Sequence, residues 1–159
     1  MASTITASTL KVTIREDIKL NGVQQGGVNT LSIGSITNAV KRIVNIGTDE
    51  IGLLGFGTAY NTELSKTYLA GQFDEDTVRY IRITNLDDTN FAILRITGDT
   101  STDFAVRLDP SSSYIITSTS STGLDDYADI SGVTLEDLLA VSATADTAAV
   151  DLELFVASI

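Results

Sequence analysis

Residues 77–96 read TVRYIRITNLDDTNFAILRI. Thr77–Thr84 and Phe91–Ile96 are dense in β-branched and aromatic residues and flank the polar stretch Asn85–Asn90. Ile81 and Ile83 on one side, and Ala92, Leu94 and Ile96 on the other, recur with period two. That is the period of a half-buried β-strand, in which successive side chains point to opposite faces. The Asn and Asp side chains between the runs can bond the local backbone and so favour a turn. The segment Val78–Ile96 therefore reads as a β-hairpin. One face holds the core set just named, and the other holds Val78, Tyr80, Arg82, Phe91, Ile93 and Arg95. A face open to water would be more polar than this. Its mixture of aromatic, aliphatic and Arg side chains is the composition enriched at protein interfaces. The same six residues also suit a face packed beneath another strand of the same chain, with the Arg stems lying along it.

The pattern extends in both directions. Leu10, Val12 and Ile14 alternate with Lys11, Thr13 and Arg15, and Asn21-Gly22 follows, a pair that tolerates positive φ in a tight hairpin turn. Val40–Ile46 is another β-rich run. Phe104, Val106 and Leu108 alternate until Asp109-Pro110 ends the strand. Tyr114–Thr117 sits within the Ser/Thr-rich stretch Ser111–Gly123, and Val150, Leu152, Leu154 and Val156 alternate with Asp151 and Glu153. One helical candidate is present, Thr134–Val141, with an N-cap residue and acidic Glu136 and Asp137 at its start. It is barely two turns long, so a loop with a single helical turn competes with it. Met1–Thr9 is small and polar and reads as a flexible arm; residues 10–159 read as one domain. The expected fold is all-β: a single antiparallel β-sandwich, of which the jelly roll is one form, with at most one short helix.

Composition narrows the chemistry. The 159 residues contain no His, Cys or Trp, and Lys+Arg 10 against Asp+Glu 21 gives a net charge of −11. A thiol nucleophile, an imidazole base, a Ser-His-Asp triad and a Cys/His zinc site cannot be built from this chain alone. The charge is also unevenly placed. Every basic residue lies between Lys11 and Arg107, leaving residues 1–107 at −2 and 108–159 at −9. Such a balance speaks against nucleic-acid binding, which needs clustered Lys and Arg. It suits an acidic solubilising surface or one that meets a basic partner. Residues 1–10 lack the basic and apolar regions of a secretory signal, and no apolar stretch approaches the length of a membrane span.

The motifs that invite a site have structural explanations. Gly52, Gly55 and Gly57 in IGLLGFGT do not follow a phosphate-loop spacing and suit bulges or bends. The acidic groups Asp74-Glu75-Asp76, Asp87-Asp88 and Asp125-Asp126 with Asp129 offer the oxygen ligands Ca²⁺ takes, but none has the spacing of a Ca²⁺ loop. Solvated turns account for them. Paired carboxylates also serve glycosidases, yet no Trp is present for sugar stacking. We expect no enzyme activity, no cofactor and no metal.

The stretch Ala70–Ile96, with IKLNG at Ile18–Gly22, VKRIVNI at Val40–Ile46 and DLELFVAS at Asp151–Ser158, resembles small virion proteins of tailed bacteriophages, especially marine and cyanobacterial ones. The resemblance implies a structural virion protein made in the host cytoplasm, with other phage proteins as its partners. Capsid decoration (cement) is the expected role; a tail, neck or fibre component and a carbohydrate-binding β-sandwich module are the alternatives. The apolar residues on both faces of 78–96 lead us to expect self-association, with a trimer favoured.

Overall fold

A computed structural model describes residues 5–56, 73–98, 103–120, 123–124, 129–130, 133–134 and 137–159. The chain opens with a long two-stranded hairpin: β1 (Ser8–Arg15), β2 (Lys19–Leu20), β3 (Val23–Gln24) and β4 (Val28–Ile36). At its tip Leu20 pairs with Val23, and Asn21 and Gly22 turn the chain at φ +49° and +82°. Both central residues at positive φ is the signature of the tight turn expected from Asn-Gly.

The remaining strands are β5 (Asn38–Ile46), β6 (Ile51–Gly55), β7 (Val78–Asn85), β8 (Ala92–Gly98), β9 (Asp103–Leu108), β10 (Ser113–Thr117), the short pair β11 (Asp129–Ile130) and β12 (Val133–Thr134), β13 (Leu138–Ala145) and β14 (Val150–Ser158). Eight of them form two four-stranded antiparallel sheets, β10-β7-β14-β5 and β6-β13-β8-β9. The pairing is nested. β5 pairs with β14, β6 with β13, β7 with β10 and β8 with β9, the first strand with the last and so inward. This is a ribbon folded back on itself and wrapped into two layers, the winding of a jelly roll.

The inner faces interdigitate. Leu152, Leu154 and Val156 of β14 meet Ile81 and Ile83 of β7 on one layer, and Leu94, Ile96 and Val141 on the other, all buried in one cluster. Each such side chain contributes about 1.5–3 kcal/mol on burial. The expected core residues Ile81, Ile83, Ala92, Leu94 and Ile96 are all in this cluster.

Two expectations are corrected. Val78–Ile96 is not a hairpin within one sheet: β7 and β8 lie in opposite sheets, and 86–91 arches across the sandwich. Asn85, fully buried, builds this arch. Its Nδ2 donates to the carbonyls of Asn90 (2.9 Å) and Leu108 (3.1 Å), and its Oδ1 accepts from the Asp87 amide at 2.9 Å. The second correction concerns Thr134–Val141. Thr134 closes β12 and Leu138–Val141 begins β13, so of the described residues of this segment all but Asp137 are strand and none is helix. Two turns of helix do not repay the cost of nucleation, whereas Val141 and Ala143 gain a place in the core by alternating.

Bulges set which residues face inward. In β4 the register shifts opposite Ser8–Leu10, with Ser35 at φ +61°, and this places Ile36 beside Ile33 in one buried cluster. In β7 the shift opposite Ala157–Ser158 at Arg79 turns Val78 into the core, although its even number puts it in phase with outward-facing Tyr80 and Arg82. A one-residue slip moves a side chain to the other face. The register of β13 against β6 likewise shifts between Val141 and Ser142, beside Gly52, as the glycine spacing suggested.

Four turns, 47–50, 86–91, 109–112 and 146–149, cap one end of the sandwich and bond to one another. The Ala145 amide donates to Gly47 O (2.8 Å), Asp146 to Phe91 O (3.1 Å), Ser111 to Asp87 O (3.2 Å) and Leu86 to Asp151 O (2.9 Å).

Candidate protein interface

The outer face of the β10-β7-β14-β5 sheet is laid out by register. Across it run Ile43, Glu153, Thr84 and Ser113, then Lys41, Phe155, Arg82 and Ile115, then Ala39, Ala157, Tyr80 and Thr117. Lys41 Nζ lies 2.8 Å and Arg82 Nη2 2.6 Å from the Glu153 carboxylate, and Thr84 and Ser113 hydroxyls are 2.8 Å apart. The hydrogen bonds from Lys41 and Arg82 hold the Glu153 carboxyl below its ordinary range. Apart from Ile43, which is exposed, this half of the face is polar and bonded within itself.

The other half is covered by the chain itself. Ile33 and Ile36 of the hairpin, with half-buried Leu10, Val12 and Leu31, pack on Tyr80, Ala157, Ile115 and Phe155. The Tyr80 ring meets Phe155 edge-on, centroids 5.9 Å apart and planes at 68°, a favoured aromatic geometry. Burial pushes the Tyr80 hydroxyl pKa up, against a smaller opposing effect of Arg82.

The six candidates from the sequence therefore fall in three places. Val78 is in the core, and Tyr80 and Arg82 lie on the outer face of the first sheet, Tyr80 beneath the hairpin. Ile93 and Arg95 belong to β8 of the second sheet, with Phe91 just before it. Ile93 is exposed, Arg95 pairs with Glu50 (3.2 Å) and Asp103 (3.5 Å), and Phe91 lies under the Arg107 guanidinium, 3.8 Å from its centroid. No single face carries all six, because β7 and β8 sit in opposite layers.

What the sequence reading overlooked is the apolar stripe along the Asn21-Gly22 hairpin. Cross-strand pairs Leu10–Ile33 and Val12–Leu31, continued by Ile14 opposite Asn29, put an apolar stripe on one of its faces. The inner part of the stripe is seated on the first sheet; further out Ile14 is exposed, as are Ile18, Leu20 and Val23 toward the tip, while Val28, opposite Arg15 on the other face, is 67% exposed. At ~3.3 Å per residue, Ile14 to Leu20 extends roughly 20 Å. Gly26 allows the ribbon to close there: a Cβ at this position would lie 2.0 Å from the Glu16 carbonyl oxygen. The signal was available, since Asn21-Gly22 has apolar residues spaced outward on both sides. Where the hairpin leaves the sheet, Val12, Ile14, Leu31, Tyr80, Ile115 and Thr117 line an open cleft of about 250 Å³.

The acidic clusters that fall on described residues are turns. Asp74 accepts from the Asp76 amide at 3.1 Å, and Asp87 Oδ1 accepts from the Thr89 and Asn90 amides at 2.8 and 2.6 Å. These bonds hold the Asp87 carboxyl below its ordinary range, the Asn90 amide contributing most. Asp125 and Asp126 lie outside the described residues, as does Gly57. Among the described residues no group of three or more acidic side chains is placed to hold a metal ion. Among the described residues no helix is long and apolar enough to cross a membrane. No family model, no curated protein and no solved structure matches this chain.

Proposed function

We propose that this chain is a non-enzymatic structural protein of a bacteriophage virion, a capsid decoration protein that clamps neighbouring subunits and is made in the host cytoplasm. The observation that supports this best is the exposed apolar hairpin on a cross-bonded jelly roll. A soluble protein gains nothing from an exposed run of Ile, Leu and Val on an arm unless another surface covers it. A clamp that makes many weak contacts across a lattice has that use, because repeated contacts add through multivalency. The short phrases shared with small virion proteins point the same way, and the −11 charge limits adhesion to packaged DNA. The partners are other copies of this chain, with a trimer favoured, and capsid proteins. No nucleic acid, membrane, metal or cofactor takes part. A tail, neck or fibre component would use the same surfaces at lower copy number. A carbohydrate-binding module would need a groove of exposed aromatic rings, and the cleft beside β10 holds only Tyr80, itself covered.

Copy number decides. Quantitative mass spectrometry of purified particles is expected to find this chain in numbers comparable with the major capsid protein. A few copies per particle would move it to the tail or neck, and absence from particles would end the structural reading.

A further inference from the structure

The hairpin is nearly neutral and the rest of the chain strongly acidic. Lys11, Arg15 and Lys19 against Glu16 and Asp17 leave residues 1–36 at +1, so the rest of the chain carries −12 of the total −11. Two sandwiches approaching each other repel, whereas the near-neutral hairpin is the part of one copy that meets another at the least electrostatic cost. Apolar surface is divided the same way. The hairpin tip exposes Ile18, Leu20 and Val23, and the cleft between hairpin and β10 offers an apolar recess of about 250 Å³. Beside that cleft runs β10, an edge strand of sequence SYIIT that carries neither a charge nor a proline to ward off a partner.

We propose that the hairpin tip of one copy docks in this cleft on the next copy, with Leu20 and Val23 entering the recess, whose lining carries no charge. The tip cannot reach its own cleft, because the hairpin is held at its base by Ile33 and Ile36 on Tyr80 and Ala157. The contact is head-to-tail: tip and cleft are different surfaces, so each copy gives one and receives one. Contacts of this kind generate closed rings or open chains rather than two-fold dimers. The inference deepens the self-association part of the proposed function by naming the surfaces that meet.

Sedimentation velocity on the full chain tests it with two variants at exposed positions, L20E/V23E in the tip and N29W in the cleft wall. The wild type is expected to assemble as its concentration rises toward about 1 mM, a weak-contact regime. Each variant is expected to stay monomeric, weakened at least about tenfold, and an equimolar mixture to form a 1:1 dimer, since one variant keeps its cleft and the other its tip. Circular dichroism checks that each variant folds; I14E replaces N29W should the tryptophan disturb the sandwich. A monomeric wild type overturns the inference and makes a different protein the occupant of the cleft. Variants that assemble like the wild type overturn it in favour of another surface, and a mixture that gives no dimer overturns the head-to-tail arrangement. Particle copy number stands apart from all of these results: a chain abundant on virions but monomeric alone refutes this contact and leaves the decoration role intact.

Discussion

The hairpin strand β1 and the sandwich strand β14 are built on the same plan. Each alternates apolar residues with polar or charged ones, and each pairs antiparallel. Yet Leu152, Leu154 and Val156 are 0–2% exposed, whereas Ile14 is 49% exposed. β14 lies between β7 and β5 with a second sheet against its inner face; β1 has one neighbour, and its stripe finds cover only near Tyr80 and Phe155. The difference teaches that alternation specifies a strand and a face but not what lies against that face. In a sandwich the covering surface is in the same chain; along an arm it is somewhere else.

The comparison can be tested where the two regions should respond most differently. Leu154→Ala removes a side chain from the middle of the sandwich and is expected to lower stability by about 2–5 kcal/mol, read as a fall in the urea midpoint. Ile33→Ala acts at the seat of the hairpin, where the covering layer is a single ribbon, and is expected to cost about 2 kcal/mol, the low end of such truncations. Its distinguishing readout is amide hydrogen exchange: protection should fall for Leu10–Val12 and Leu31–Ile33 while β7, β8 and β14 keep theirs. If both regions lose protection together, arm and sandwich are one cooperative unit.

A third effect belongs to the polar half of the outer face. The folded-state pKa of Glu153 is lowered by Lys41 and Arg82. Its contribution is therefore present above the unfolded carboxylate value and is lost as the pH falls through the lower folded value. Acid unfolding of Glu153→Gln should show a shallower dependence than the wild type in that window, and equal slopes would remove the ion pairs from the account. The smallest effect is expected from Val28→Ser. With the side chain 67% exposed, the stability of the isolated monomer should stay within about 0.5 kcal/mol. A larger loss would mean that the arm is covered in the monomer.

Much of the sandwich was legible before any coordinates. The runs at Leu10–Ile14, Val40–Ile46, Phe104–Leu108, Tyr114–Thr117 and Val150–Val156 all lie in strands, and Asn21-Gly22 turns as its chemistry requires. Three things were not legible, each for a physical reason. The six residues of NLDDTN suit a hairpin or an arch equally well, and the choice rests on long-range bonds from Asn85 to Leu108. Strand β13 hides behind TLEDLLAV because Leu, Glu and Ala favour helix until tertiary packing overrides them. The stripe on β4 is diluted by Asn, Ser and Gly in VNTLSIGSI, so only its pairing with β1 reveals it. The interface candidates failed to gather because the bulge at Arg79 and the arch at 86–91 each redirect side chains that period two would align.

The nesting of the strands also orders events in time. β14 is synthesised after the other seven strands of the jelly roll and takes the place between β7 and β5. Until it has emerged from the ribosome, β5 lacks its partner in the sheet, and the core lacks Leu152, Leu154 and Val156. The hairpin, by contrast, needs only its own 29 residues (8–36) to pair and can zip early, since closing a short loop costs little entropy. The sandwich must then form once β14 is available, through contacts between distant parts of the chain, on the millisecond-to-second scale of such topologies. During that interval the acidic residues, which outnumber the basic ones twofold, keep incomplete chains apart.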